Sequence, residues 1–440
     1  MTGPTSLVAL GAAVAAFAAG SSGAQSLPPV RPLGPVLSTS VEPMAAVSQV
    51  RALPGGRVIV NDNAGRRLLL FDSTLTTFRV IADTTTATTY AYGATLGGLI
   101  AYRGDSSLFI DPRLMSMYVI DPNGKLGRTM AAPQASEVSF LIGGPYGTPG
   151  FDAQGRLVYK ARVGGFGRII PPPQPGKPPP PDIPDSGMVV RFSLATRAVD
   201  TVAKFVIPSY VSHTSVGENR WVTNVRILNP IPWTDDWAML SNGTIAIVHG
   251  QEYRVDFFDA TGKVSGTSKI PFDWQRLSDD DKSALIDSTQ AALDKAAIER
   301  GDPTPEVRRS DSLRTVRRMA APEQTMAPRV PGTTGGRMMN LTSITQFVPL
   351  NEMPDYRPPF RQAAARGDED GNLWIRTSKM VNGGAVYDVI NGKGILIDRI
   401  QVPPGRVIAG FGPGGVVYMG VLDGTVARLE RARVRPATHP

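Results

Sequence analysis

The chain is expected to be all-β, a ring of six four-stranded antiparallel blades. Three observations predict this. A turn–strand–loop–strand unit, clearest at Leu53–Asp72 (LPGGRVIVNDNAGRRLLLFD), recurs in variants to the C-terminus. Two markers within the unit each occur six times. First-turn glycines are Gly56, Gly98, Gly155, Gly243, Gly371 and Gly415, and second turns follow Phe71, Ile120, Phe192, Phe258, Ile390 and Leu429. The 46 glycines and 39 prolines suit many short strands better than helices. Units of roughly 40–45 residues repeated in series read as a β-propeller.

In the first unit, Pro54-Gly55-Gly56 is a turn in which glycine is free to take positive φ. The β-branched Val58, Ile59 and Val60 suit a strand packed on both sides. Asn61–Gly65 is a polar loop, Leu68–Phe71 the next strand, and Asp72 opens a second turn. Val47–Leu53 and Thr77–Ala82 complete a four-stranded meander.

The second unit is expected to turn at Gly97-Gly98, run through Leu99–Tyr102, loop over Arg103–Pro112 and return as Met117–Ile120. The third has Arg156–Ala161 and Met188–Phe192, separated by Pro171–Pro184 (PPPQPGKPPPPDIP). That stretch lacks most backbone donors and reads as an exposed polyproline-like loop within blade 3, or as a docking segment. Ser209–Thr234 is a long connection. The fourth unit runs Trp237–Leu240, Thr244–Val248, Tyr253–Phe258 and Val264–Ile270.

The pattern then breaks into a helical and basic insertion over residues 275–350, between blades 4 and 5. Ser278-Asp279-Asp280-Asp281 resembles a helix N-terminus with acid in the first turn. Leu285, Thr289, Ala292, Leu293, Ala296 and Ala297 follow at helical spacing before Gly301-Asp302-Pro303. Glu306–Arg337 is basic and poor in large apolar residues: a solvated segment, or an anion- or partner-binding arm. The fifth unit holds Leu373–Arg376, Ala385–Ile390 and Ile395–Ile400. The sixth holds Val407–Phe411, Val416–Met419 and Thr425–Leu429, with a weak last strand at Arg433–Arg435. A ring must pair its ends or leave an open edge. Val36–Val41, within an extended segment 25–44 ahead of the propeller (45–435), is expected to close the C-terminal blade.

Strings such as ALPGGRVIVNDNAGRRLLLFD, GDEDGNLWIRT and GFGPGGVVYMG resemble the exported six-bladed propellers of the NHL/YWTD-like type, over roughly residues 45–435. The resemblance implies a fold and an envelope location. It implies no catalytic residues, because that group spans binding modules and enzymes.

Composition bounds the function. The net charge of +8 and pI near 9.7 favour anionic surfaces, yet no basic stripe with interleaved aromatics points to nucleic acid. With no cysteine there is no disulfide, thiolate metal site, cysteine nucleophile or lipid-modified cysteine. Leu7–Ala19 is an apolar run of signal-peptide length, and Ser22-Gly23-Ala24 suits cleavage before Gln25. Residues 1–24 are therefore expected to be a signal peptide. The product would be periplasmic or extracellular, monomeric and without a transmembrane anchor. No Lys or Arg precedes the apolar run.

In a blade whose strands A to D run outward from the axis, the B–C loops and the D-to-next-A connections share one face. Arg103–Pro112, Pro171–Pro184, Ser209–Thr234 and Asp273–Arg361 would all emerge there. Elaborated loops on a rigid scaffold commonly carry binding. On that face Trp233-Thr234-Asp235-Asp236-Trp237 reads either as one inter-blade tryptophan with turn-forming acids, or as an aromatic platform with acceptors for a sugar or peptide. His249 should lie beside it. Asp368–Asn372 faintly resembles a calcium loop but reads as turn aspartates. The three histidines, His213, His249 and His439, do not read as a zinc site.

The preferred reading is an exported, non-catalytic scaffold that binds a protein, peptide or glycan of the cell envelope. Its candidate ligand face carries Trp233, Asp235, Asp236, Trp237 and His249. The alternative is a metal-assisted hydrolase of the lactonase-like six-bladed type, which would hold calcium on the axis with carboxylate and amide oxygens. Linear spacing does not identify those ligands, so no catalytic residue, metal ligand or cofactor is assigned.

Overall fold

The computed structural model describes residues 27–89, 91–134, 137–161, 186–208, 211–216, 222–299 and 341–434. Six antiparallel sheets follow one another along the chain. Blade 1 comprises Gln49–Ala52, Val58–Asp62, Arg67–Phe71 and Phe78–Ala82, lettered A to D. Blade 2 spans residues 98–131, blade 3 150–206, blade 4 236–266, blade 5 360–401 and blade 6 406–433. First strands adjoin one another from blade to blade: Asp236–Met239 lies against Phe360–Gly367, and Arg406–Gly412 against Gln49–Ala52. The A strands thus line the axis, and the chain is a six-bladed β-propeller.

The apolar runs explain the stacking. Along blade 1, Val58, Val60, Leu69 and Phe71 pack towards blade 6, while Ile59, Leu68 and Leu70 pack towards blade 2. Successive side chains of a strand point to opposite faces, so a continuous apolar run is what a strand between two neighbours requires. Full burial of each such side chain stabilises by roughly 1.5–3 kcal/mol.

The tight turns share one chemistry. Asp121, Asp152, Asp259, Asp368 and Asn391 each accept the backbone N–H groups two and four residues on, at 2.7–3.0 Å. A glycine three residues on takes positive φ: Gly124, Gly155, Gly262, Gly371 and Gly394. The Asx side chain fixes the entry and glycine supplies the left-handed step.

Two expectations need correction. In blade 2, Gly98 lies inside strand A (Gly98–Ala101), and the first turn comes later, at Gly104 with φ +58°. Ser107–Asp111 is strand B, fully buried, so Arg103–Pro112 is not a long B–C loop. A Cβ on Gly98 would meet Ile142 Cα at 2.6 Å and the Leu141 carbonyl at 2.7 Å. The glycine is there for close approach, not for turning. In blade 6, Leu429 sits mid-strand within Val426–Arg433, and no second turn follows it.

The fourth strand of blade 6 comes from the other end of the chain. Val36–Thr39 pairs antiparallel with Val426–Arg433. Beyond it, Met44 and Ala427 exchange backbone hydrogen bonds at 2.8 and 2.7 Å, and Met44 is buried. Val30–Pro32 adds a parallel fifth strand to blade 5 along Arg399–Gln401, and Arg31 pairs with Asp398. The sequence pattern did not indicate this second attachment.

Between blades 4 and 5 the helix Asp279–Glu299 is capped reciprocally. Asp281 N–H donates to Ser278 Oγ at 3.2 Å, and Ser278 N–H donates to Asp281 Oδ2 at 2.9 Å. This is a capping box with aspartate in place of the usual glutamate. The helix docks through Leu285 and Ile286 onto Ile231, Leu277 and Met353. The buried Lys282 ammonium donates to Asp355 and to the Leu350 carbonyl. The signal-peptide stretch, the proline-rich 171–184 and the basic segment 302–340 lie outside the described residues. Among the described residues no helix is long and apolar enough to cross a membrane.

Candidate functional site

The turns of the A–B and C–D face are short throughout. The opposite face receives the D-to-A connections 83–97, 132–149, 207–235 and 267–359. Two of these connections build a sheet of their own. The hairpin Val211–Val216 and Val222–Leu228, from the blade 3–4 connection, pairs in parallel with Leu341–Phe347, from the blade 4–5 connection. The face expected to be elaborated is so. Arg103–Pro112 makes no contribution to it, and 83–97 and 132–149 do.

His249 ends strand B of blade 4 (Ile245–His249), on this face. Its Nδ1 lies 3.1 Å from Asp235 Oδ2 and its Nε2 lies 2.9 Å from Asp256 Oδ2. The hydrogen bond to Asp235 is the main reason its pKa stands above the ordinary value, against the opposing effect of burial. Burial would raise Asp256, but Arg254 and His249 together hold it low. Asp235 also accepts the N–H groups of Val206 and Gly250, both at 3.0 Å. The trio joins the last strand of blade 3 to two strands of blade 4.

The neighbouring residues divide. Trp237 is buried between blades 3 and 4 among Val158, Val189, Phe205 and Ile245, and its Nε1 donates to the Tyr146 carbonyl at 3.0 Å. Asp236 is buried too. Its Oδ2 accepts Ala364 and Ala365 N–H at 2.7 and 2.9 Å, tying the A strands of blades 4 and 5. Desolvation pushes its pKa up to about 6, opposed by those backbone donors and by the charge of Lys160. Trp233 is half-buried and stands apart from Trp237. Its ring centroid lies 6.2 Å from that of Trp274, and Trp274 in turn meets Phe272 and Tyr356. The structure therefore places Trp233 and His249 towards the elaborated face, and uses Trp237, Asp235 and Asp236 between strands.

A cavity of about 420 Å³ opens on the same face at the entry to blade 5. Ile231, Pro232, Pro358, Phe360 and Met380 give it apolar walls, and Arg357, Arg361 and Arg376 give it charge, with no acidic residue in the lining. The arch that shapes it is a bulge in strand A of blade 5. Pairing with strand B jumps from Phe360–Thr377 to Ala365–Ile375, and Ala363 takes φ +64°. Asp236 pins the far end of the arch. Sequence reasoning missed this site. Its only linear trace is Arg357-Pro-Pro-Phe-Arg361, two arginines flanking a rigid strand entry with no acid between them.

Among the described residues no group of three or more His, Cys, Asp or Glu side chains is arranged to hold a metal ion. In the calcium-like string, Asp368 accepts two backbone N–H groups, Asn372 Nδ2 and Trp374 Nε1, as a turn aspartate does. Asp370 accepts Gly414 and Gly415 N–H from the first turn of blade 6.

The molecule is thus a six-bladed propeller elaborated on one face. No protein-family model and no curated protein matches it. Among solved structures it is similar to the calcium-binding protein regucalcin from Agrobacterium tumefaciens, with TM-score 0.38 and 12% identity over 93% of this chain and 98% of that one. It is similar to a gluconolactonase from Xanthomonas campestris, with TM-score 0.37 and 10% identity over 92% and 99% of the two chains. A virginiamycin B lyase from Staphylococcus aureus gives TM-score 0.31 and 9% identity over 89% and 81%. At these scores the likeness carries no inference about activity.

Proposed function

We propose that this chain is a binding propeller whose partner, a protein, peptide or glycan of the cell envelope, docks on the loop-elaborated face. The observation that carries the reading is the one-sided distribution of connections. Among the described residues the long D-to-A connections emerge on that face, and two of them form an added three-stranded sheet. A rigid ring with elaboration on one side is the architecture of a presentation surface. Trp233, half-exposed beside Trp274, supplies aromatic contact area suited to a sugar ring or an apolar side chain. Export, inferred from Leu7–Ala19, would put the propeller where such partners are.

The test is capture from an envelope extract by the parent and two sets of variants. Trp233→Ala and a deletion of residues 302–337 alter the elaborated face. Gln154→Ala and Lys263→Ala alter exposed turn positions on the other. The first set is expected to lose the partner captured by the parent, the more so as salt rises, and the second to retain it. Retention by the first set with loss by the second overturns the reading.

A further inference from the structure

The arginine-lined cavity has a chemistry of its own. The guanidinium groups of Arg361 and Arg376 have no ion-pair or hydrogen-bond partner among the described residues, although the fold pairs many of its other arginines. Arg67 pairs with Glu42 and Asp62, Arg254 with Glu252 and Asp256, and Arg406 with Glu430. Arg357 uses its Nε on Gln275 Oε1 at 2.9 Å, which holds the guanidinium in place at the rim. Three arginines therefore line one concavity whose walls contain no acidic residue. Like charges gathered this way repel, and an anion bound among them relieves the repulsion.

The remaining walls narrow the choice of anion. Ile231, Pro232, Pro358 and Met380 present apolar surface opposite the arginines, and Ser378 and Gln362 add polar groups. A naked inorganic ion would leave that apolar surface wet. An organic acid matches both halves. The planar fork of arginine fits a carboxylate in two parallel hydrogen bonds, and an apolar body can cover the proline and methionine walls. A cavity of this volume holds a small molecule or one acidic end group of a larger one. The walls are stiff: two prolines line the rim, the bulge is pinned by Asp236, and Ile231 packs against Leu277 and Met353 beneath the helix. The apolar walls are thus preformed, and binding has to order only the arginine side chains.

We propose that the cavity between residues 231–232 and the entry of blade 5 is a carboxylate-binding site for a small organic acid, held by Arg361 and Arg376 and flanked by Arg357. This goes beyond partner docking on the face and does not require it.

Calorimetric titration of the full chain tests it, using benzoate and citrate as carboxylate probes and inorganic phosphate as the tetrahedral comparison. No partner is present, so this result and the capture experiment can fail separately. At least one carboxylate is expected to bind more tightly than phosphate and to weaken as salt rises. Arg361→Gln and Arg376→Gln should each weaken it roughly ten- to a hundredfold, with an unchanged circular dichroism spectrum and melting temperature. Both side chains are exposed and unpaired, so neither substitution threatens the fold. Absence of binding by both carboxylates at about 10 mM overturns the proposal. So does binding that survives the double variant. Phosphate binding as tightly as either carboxylate, lost in the same variants, replaces the organic acid by a general oxyanion and overturns the class assigned here.

Discussion

At the scale of single residues, this protein uses its buried acids to lock strands together. Asp235 and Asp236 are adjacent, and successive side chains on a strand face opposite ways. One therefore reaches back to blade 3 and the other forward to blade 5. His249 adds a pH-dependent bond to the first of these junctions. Only the imidazolium can donate to Asp235 and Asp256 at once. Its pKa is raised in the folded chain, so the associated stability is fully present below the unfolded value of about 6.5 and is lost as pH rises through the folded value. Between about pH 6 and pH 9 the melting temperature of the parent should fall by more than that of His249→Gln, and the gap between the two should close as pH rises. Thermal melts across that range check this, and parallel curves would remove His249 from the account. The other histidines, His213 and His439, are common to both proteins and cancel. A linear reading reached His249 and Trp233 as residues of one face. It could not say which of two adjacent aspartates faces which neighbour, because that depends on the partner strand.

At the scale of elements, glycine does two jobs that look alike in sequence. At Gly262 the backbone takes φ +90° and a Cβ would meet nothing within 4 Å. At Gly243 φ is +83°, and a Cβ would lie 2.6 Å from Ala153 N in the first turn of blade 3. Gly262→Ala should therefore cost about 1 kcal/mol, the backbone term alone. Gly243→Ala should cost roughly 2–4 kcal/mol, because it also pushes two blades apart. Chemical denaturation of both variants measures the difference, and equal costs would mean that the turns yield more easily than their packing suggests. The same ambiguity explains where the blade pattern was legible. Asp-x-x-Gly turns are local, so their glycines were readable at Gly155 and Gly371. Gly98 is a close-approach glycine, and its identity depends on Leu141 and Ile142, which lie far along the chain. Counting it as a turn displaced strand B of blade 2 and mistook Ser107–Asp111 for loop. The arginine cavity was invisible for a related reason. Arg357 and Arg361 meet Arg376 only through the blade 5 bulge, and Ile231 arrives from another connection altogether.

At the scale of the whole molecule, a propeller is only as stable as its closure. The third strand of the last blade is Val426–Arg433, and its outer edge needs a partner. Val36–Thr39 covers that edge. Ser40 extends the cover: its N–H donates to the Leu429 carbonyl at 2.8 Å, and its Oγ accepts Leu429 N–H at 3.0 Å. Arg428 reaches the Ser40 and Val41 carbonyls, each at 3.0 Å, and Met44 fills a site beside Val58 and Leu429. Val30–Pro32, by contrast, adds to a blade that already has four strands. Two truncations separate these roles. A chain starting at Pro35 loses the fifth strand of blade 5, its Arg31–Asp398 pair and the buried Leu33, keeps the closing strand, and should melt within a few degrees of the parent. A chain starting at Ala45 loses the closing strand and the Met44 anchor, and bares the whole edge of Val426–Arg433, an eight-residue strand with four apolar and four charged side chains. It should melt lower by roughly 5 °C or more and should aggregate, since an unpaired edge is a template for another chain. A peptide spanning residues 30–44, added in trans, should recover part of the loss, because the groove it occupies is formed by blades 5 and 6 and not by the peptide. If the Ala45 start melts with the parent and stays monodisperse, the ring does not depend on its N-terminal strand for closure. The inter-blade apolar contacts would then have to hold the first and last blades together unaided.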